Sequence, residues 1–140
     1  MKKICFRRAA GEFIGAAIII PLLLLIIMFI FNMAQIAICE ERLTFAAYEA
    51  GRAAAISFSE EEASSAAKGM LDKIYNGTGA TYGMKLQRVS GPDWVKGAFL
   101  LIEVQEDLST FLGYQSGIHA RRLAMMIEHS YWAKESLNVP

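Results

Sequence analysis

The chain has 140 residues, 54% of them hydrophobic, and its formal net charge at pH 7 is zero. A neutral chain offers neither a basic surface for nucleic acid nor an acidic tail, so we expect no nucleic-acid partner. Apart from an apolar N-terminal segment of ~40 residues, about 100 residues remain, which is enough for one small domain with a modest core.

An apolar run dominates the N-terminal third. Residues 13–39 carry no formal charge. At ~1.5 Å per residue, a helix of this length reaches about 40 Å, which exceeds the roughly 30 Å of bilayer hydrocarbon. The run is apolar on all sides until Asn32 and Gln35, unlike an amphipathic core helix. We predict a transmembrane helix at 13–39, a basic cytoplasmic leader at 1–12 and an extracytoplasmic domain at 40–140.

The flanking charges predict the orientation of this helix. Basic residues resist translocation, so the N-terminus is predicted inside and the C-terminal domain outside. A cleaved secretory signal would have a shorter apolar region of about 7–15 residues and a small residue where Ile38 stands. We therefore predict a retained anchor. The charges are Lys2, Lys3, Arg7 and Arg8 before the run, and Glu40 and Glu41 with Arg42 after it.

Two residues of the span have special properties. Glu12 stands at its threshold, where a carboxylate either lies at headgroup level without a partner or meets a cationic group of a neighbouring chain. Pro21 is tolerated in a membrane helix and predicts a kink. Cys5 and Cys39 are too far apart on one helix to bridge. Cys39 acts either as a small apolar residue or as a bridge between subunits.

The helical pattern continues beyond the span. Apolar residues keep a three-four spacing from Ile36 to Ala54, which predicts one helix from Phe13 to Ile56, about 65 Å long. Its outer half has an alanine-rich face that would let another element lie close. The residues of this face that we select as packing positions are Ala47, Ala50, Gly51 and Ala54.

A second helix is predicted from its capping signals. Ser59 and Glu62 have the spacing of a capping box, and the apolar residues that follow have helical spacing up to Tyr75. Asn76 and Gly77 predict its end in the left-handed conformation. Asn76-Gly77-Thr78 also matches a glycosylation sequon, although the helix cap accounts for these residues without modification.

The remaining residues change to a period of two. Alternation predicts a strand from Thr81 to about Ser90 and another within 95–106, forming an antiparallel hairpin. Residues 107–117 read as a loop with Phe111, Leu112 and Tyr114 tucked inward. Residues 118–133 are ambiguous: their composition favours a helix by a small margin, while parts of the segment alternate like a strand. The polar tail, 135–140, is predicted to fray.

The sequence contains no catalytic constellation. His119 and His129 have no cysteine or carboxylate partners at metal-ligand spacing, and HExxH, CxxC and nucleophile-elbow motifs are absent. Arg121-Arg122 reads either as an exposed face or as a small binding patch. We expect neither an enzyme nor a cofactor.

The N-terminal third nevertheless carries an ordered series of motifs. These are the basic pair Arg7-Arg8, the dipeptide Glu12-Phe13, Pro21 within an Ile/Leu-rich run, and the alanine-rich stretch 46–54 with Glu49 and Arg52. In this order, residues 7–55 resemble the TadE-like pseudopilins of tight-adherence (Flp-type) pilus systems.

The resemblance implies an α+β, pilin-like fold. A long transmembrane helix would continue into a small external domain, in which a second helix packs on an antiparallel sheet of about three strands. It therefore favours strand over helix for residues 118–127.

The resemblance also implies a function, a location and partners. The protein would help assemble an adhesive or secretory filament in the cytoplasmic membrane of a bacterium or archaeon. Its partners would be other pilins or pseudopilins, inner-membrane pilus assembly proteins, the lipid bilayer and a prepilin peptidase.

Type IV-like pilins place a glutamate five residues after the peptidase cut, where it neutralises the amine of a neighbouring subunit. For Glu12 this means a cut between Arg7 and Arg8, although the family expects a glycine before the cut. A cut after Gly11, the nearest glycine, would make Glu12 the first residue.

Two further functions stay open on the sequence alone. The chain could be a single-pass membrane protein whose outer domain binds a ligand or scaffolds an envelope complex unrelated to filaments. It could also be a membrane-anchored enzyme, which the absent catalytic constellation disfavours.

Overall fold

The chain forms two helices and three strands, so the predicted α+β fold class is confirmed. This computed structural model describes residues 2–90, 93–113 and 116–128, with the backbone alone for residues 2–14. The predicted frayed tail at 135–140 lies outside the described residues. In chain order, the elements are α1 (Lys2–Ala55), α2 (Glu60–Tyr75), β1 (Tyr82–Arg88), β2 (Phe99–Leu108) and β3 (Gly117–Met126).

Helix α1 runs without interruption for 54 residues, about 80 Å at the rise of an α-helix. It begins at Lys2, so the predicted start at Phe13 is wrong, whereas its end at Ala55 is within one residue of the prediction. The early start has a local cause, because residues 2–10 contain several good helix formers and no proline. Pro21 lies inside the helix. The kink predicted there stays a prediction.

The described part of α1 has two sections with different surroundings. Residues 16–31 are exposed apart from the half-buried Met28, and nearly all of them are apolar. Burial starts at Asn32, which is fully buried, and continues along one side of the helix to Ala55. By length and composition, α1 is long and apolar enough to cross a membrane.

Helix α2 begins and ends where its capping residues predict. The backbone N–H of Glu62 donates to Ser59 Oγ over 3.2 Å, and the Glu62 carboxylate accepts from the backbone N–H of Phe58 over 3.0 Å. The return bond therefore falls one residue earlier than in a standard capping box. Gly77, just past the end of the helix, has a φ of +79°, the left-handed conformation that glycine adopts without strain.

The three strands form one antiparallel sheet in the order β1-β2-β3. The predicted hairpin of β1 and β2 is confirmed. The helix that composition alone favoured for 118–133 is wrong for 118–126, which belong to a strand as the resemblance implied, and residues 129–133 lie outside the described part of the chain. Pairing with β2 along the whole of β3 overrides the helical propensity of its Arg, Leu, Ala and Met residues.

Helices α1 and α2 cover the same face of the sheet. The alanine-rich face of α1 lets the two layers approach closely, since its side chains end at Cβ. Gly51 marks the tightest point: a Cβ there would lie 2.8 Å from Met125 Sδ and 3.3 Å from Ile102 Cγ2. The largest fully buried apolar side chains of the core are Leu43, Leu71, Leu100, Ile102, Val104 and Ile127.

Strand β2 runs antiparallel to α1 along this interface, which gives the domain two distinct ends. Glu106, near the end of β2, contacts Arg42 on α1, while the backbone N–H of Glu128 donates to the carbonyl oxygen of Ala55. The β2–β3 loop therefore lies at the end of the domain nearest the exposed apolar section of α1. The turn that follows β1 lies at the opposite end.

Candidate interaction surface along the first helix

A buried charge cluster joins three elements at the end of the domain nearest the exposed apolar section of α1. Arg42 on α1 donates from Nε to Glu106 Oε2 on β2 over 3.0 Å, and from Nη2 to Glu106 Oε1. The hydroxyl of Tyr75 on α2 donates to the same Oε2 over 2.9 Å. The Glu106 side chain is 1% exposed, so these donors take the place of its water. The cluster fixes both helices to the sheet.

The surroundings of this cluster shift the titration of its members. Hydrogen bonding to Glu106 raises the pKa of Arg42. Burial, followed by the hydrogen bond to Glu106, raises the pKa of Tyr75 far above its ordinary value of 10. Both groups therefore keep their protons at any physiological pH. The Arg42 guanidinium also lies 5.7 Å from the centre of the Tyr75 ring. The arrangement is suited to holding the fold together rather than to proton transfer.

A second polar contact ties β3 to α1. His119 Nδ1 lies 3.0 Å from Glu40 Oε1, and the Glu40 side chain is half exposed.

On the opposite face of the sheet, Glu103 accepts hydrogen bonds from Arg122 Nε and from Gln105 Nε2. The Gln105 bond and then the Arg122 bond lower the pKa of Glu103 below its ordinary value of 4.5. Arg122, whose side chain is 69% exposed, thus pairs with the mostly buried Glu103, while Arg121 lies beside α1.

One side of α1 stays uncovered by the domain, and we call it the open face. It contains large exposed side chains, with Phe45 56% and Tyr48 49% exposed. Their spacing places them on one stripe of the helix, which continues from the exposed apolar section at residues 16–31. Arg121 on β3 borders a shallow depression beside this stripe. The residues of the open face are Ala37, Glu41, Phe45, Tyr48 and Arg52.

The predicted packing positions lie on the other side of the helix. Ala47, Ala50 and Ala54 are at most 1% exposed, and they pack with Gly51 against the chain's own α2 and sheet. These small side chains allow the close approach that the sequence predicted. The elements that approach α1 are the chain's own α2 and sheet. Along this section of α1, the side that the domain leaves uncovered is therefore the open face.

The predicted N-terminal site residues belong to α1. Arg7, Arg8, Gly11 and Glu12 lie on its backbone, and their side chains are outside the described part of the chain. Charge pairing by Glu12 and processing near Arg7 or Gly11 therefore stay predictions. Pro21 lies in the exposed apolar section, so the structure does not bring it together with the domain.

Sequence reasoning missed a contact between the β2–β3 loop and α1. The backbone N–H of Phe111 donates to Gln35 Oε1, and that of Leu112 donates to Asn32 Oδ1, each over 3.4 Å. The predicted inward packing of this loop is wrong, because Phe111 is 73% and Leu112 44% exposed. Tyr114 lies outside the described residues. The available signal was the pair of amide side chains that interrupts the apolar run.

Arg42 and Glu106 were also missed as a pair, since no local spacing connects residues 64 positions apart.

In the part of the chain that the structure describes, no three His, Cys, Asp or Glu side chains are grouped so that they could hold a metal ion. Comparisons with protein-family models, with curated proteins and with solved structures found no match to the chain. The fold defines an α+β protein in which one long apolar helix carries a small antiparallel sheet.

Proposed function

We propose that the chain is a TadE-like pseudopilin or minor pilin-like protein that assembles a tight-adherence (Flp or type IV-like) pilus. The observation that carries this proposal is the division of α1 into an exposed apolar section and a section that holds the domain on one side. A subunit that packs in a filament needs a helix that is free along one side, and the open face provides it. The motif order in residues 7–55 supports the same role.

In this proposal the protein acts by helix packing rather than by catalysis. The exposed section of α1 stays in the membrane, where small side chains at Gly15, Ala16 and Ala17 let a second helix come close. Beyond the membrane, the open face contacts the first helix of a neighbouring subunit. Glu12 meets a cationic group of that neighbour, which offsets the cost of a carboxylate at the bilayer edge.

The proposal includes a location and a set of partners. The protein resides in the cytoplasmic membrane of a bacterium or archaeon, with its N-terminus inside and its domain outside, as the flanking charges favour. Its partners are other pilins or pseudopilins, inner-membrane pilus assembly proteins and the lipid bilayer. A prepilin peptidase joins them if the leader is cut.

Site-specific crosslinking tests the contact surface. A photocrosslinking residue in place of Tyr48 on the open face should capture a pilin-like subunit or a second copy of the chain in native membranes. The matched control is the same residue in place of Lys68, which is exposed on α2. The proposal fails if the Tyr48 variant yields no more crosslinked product than the Lys68 variant, or if it captures only proteins unrelated to filament assembly.

The mass of the N-terminal peptide from protein purified out of native membranes tests the processing step separately. A start at Arg8 or at Glu12 means that a prepilin-type peptidase acts on the chain. A start at Met1 means a permanently anchored assembly helper, in which Glu12 does not neutralise an amine exposed by cleavage.

A further inference from the structure

The β2–β3 loop presents an apolar tip beside the exposed section of α1. Phe111 is 73% and Leu112 44% exposed, so two neighbouring large apolar side chains form a small exposed patch at the loop tip. The sequence from Leu108 to Ile118 carries no formal charge, and the other loop at this end of the domain, from Asn76 to Thr81, carries none either. The exposed carboxylate of Asp107 immediately precedes the uncharged segment that begins at Leu108, and Asp93 and Lys96 lie at the opposite end of the domain.

The tip lies at a defined level on the helix. Its backbone contacts Asn32 and Gln35, the first polar side chains after the apolar stretch. The 19 residues from Phe13 to Phe31 span about 28 Å as a helix, which matches the roughly 30 Å of bilayer hydrocarbon without any contribution from 32–39. A span that begins at Phe13 would therefore leave the hydrocarbon at the level where the loop touches α1.

Within the described part of the loop, the backbone N–H groups of residues 110–113 are hydrogen-bonded. An irregular loop that enters a lipid interface must satisfy its N–H groups within the protein, because lipid offers them no hydrogen-bond acceptor. Each N–H from Thr110 to Gly113 has an acceptor. They donate to Ser116 Oγ (2.9 Å), Gln35 Oε1 (3.4 Å), Asn32 Oδ1 (3.4 Å) and the carbonyl oxygen of Thr110 (3.0 Å), in that order.

We infer that the β2–β3 loop is a second membrane contact, with Phe111 and Leu112 inserted into the headgroup–acyl boundary of the outer leaflet. Asn32 and Gln35 hold the loop at that depth, and the bilayer boundary lies at Asn32 rather than at Cys39. The inference rests on the membrane-spanning part of the proposed function and does not require filament assembly. A loop fixed in this way stops the domain from rotating or tilting freely, so it fixes which direction the open face points.

Depth-dependent fluorescence quenching tests this arrangement in the full-length protein. An environment-sensitive fluorophore is placed on a single cysteine at Phe111→Cys, in a Cys5→Ser background. Cys39 is fully buried and stays unlabelled, which the background protein alone verifies. The vesicles are phosphatidylcholine containing nitroxide-labelled phosphatidylcholine, and iodide serves as the aqueous quencher. Two reference labels are Leu24→Cys in the exposed apolar section and Val89→Cys, exposed at the opposite end of the sheet.

The expected result is quenching of the Phe111 label by lipid nitroxides at a depth of about 5–10 Å, with protection from iodide. The Leu24 label should lie deeper, and the Val89 label should respond to iodide alone. If Leu24 is shielded while Phe111 responds to iodide like Val89, the loop inference is overturned and the membrane span stands. If all three labels respond to iodide, the span fails as well. Lipid quenching at Val89 would also overturn the inference, because the domain would then lie flat on the membrane.

A second label keeps the test decisive if the Phe111 variant does not fold. Leu112→Cys should report the same depth as Phe111→Cys, since the two residues share the tip. Iodide quenching of a folded Leu112 variant, equal to that of the Val89 variant, would overturn the inference.

Discussion

Arg42 and Glu106 are 64 positions apart in the chain, and they form a two-point ion pair between α1 and β2 in which the carboxylate is almost fully buried. Pairs of this kind fix geometry more reliably than they add stability, since removing two charges from water offsets most of their attraction. The pair joins the end of β2 to α1, at the same end of the domain as the contact between the β2–β3 loop and Asn32.

Replacing one member of this pair should lower the free energy of unfolding far more than replacing both. We expect Arg42→Leu to lower the free energy of unfolding by about 3–5 kcal/mol, because it leaves a buried carboxylate without its cation. The double variant, Arg42→Leu with Glu106→Leu, should recover a large part of this loss. Denaturant unfolding of the detergent-solubilised protein measures both. Equal destabilisation by the single and double variants would contradict this role for the pair.

Two glycines in helices should respond in opposite ways to a larger side chain. Gly69 on α2 is exposed and a Cβ there would meet no atom within 4 Å, so Gly69→Ala should stabilise the protein by up to about 1 kcal/mol through helix propensity. Gly51 faces Met125 and Ile102, so Gly51→Leu should destabilise it by about 1–3 kcal/mol through overpacking. Thermal unfolding measures both. A stabilising Gly51→Leu would show that the sheet does not lie against α1 here.

The Glu103 contacts predict a specific loss of stability in acid. The folded state lowers the pKa of this carboxyl below 4.5, so the unfolded chain takes up its proton first as the pH falls. The contribution of the Glu103 contacts to the stability of the fold is therefore complete above about pH 4.5. It is lost as the pH falls through the lower pKa that Glu103 has in the folded state. Glu103→Gln should therefore reduce the fall in the midpoint of thermal unfolding between roughly pH 6 and pH 3.

Glu61→Gln is the control for this measurement, because Glu61 is an exposed carboxylate at the start of α2. If both variants lose stability in acid as steeply as the unmodified protein does, the Glu103 contacts do not contribute to the acid response.

The elements that local patterns determine were predictable from the sequence. The apolar run, the Ser59 cap of α2 and the alternation in β1 each depend on neighbouring residues, and all three elements formed. Strand β3 was not predictable from its own residues, since Arg, Leu, Ala and Met favour a helix and only pairing with β2 makes it a strand.

The interaction surface was harder to predict than the fold. An alanine-rich stripe indicates close packing, and nothing in the stripe says whether the partner is the same chain or another one. The structure places Ala47, Ala50 and Ala54 against the chain's own sheet, which leaves Phe45 and Tyr48 outside. The loop contact at Asn32 and the pair at Arg42 join distant parts of the chain, so periodicity could not reveal them.

Glu12 separates filament assembly from its alternative. In a pilin-like subunit, Glu12→Gln removes the charge that meets the neighbouring chain, and we expect a severe loss of surface fibres at normal protein levels. Glu61→Gln, the same chemical change on the external domain, should leave fibre numbers unchanged. A single-pass scaffold unrelated to filaments would tolerate both substitutions equally. Electron microscopy with immunoblotting of the membrane fraction distinguishes these outcomes.

The most direct test of the proposed function is to count surface fibres after the gene is deleted in the organism that encodes this chain. The proposal predicts that fibres of the tight-adherence type disappear, and that the intact gene supplied on a plasmid restores them. A deletion strain that carries as many fibres as its parent would contradict filament assembly, whatever the chain binds in the membrane.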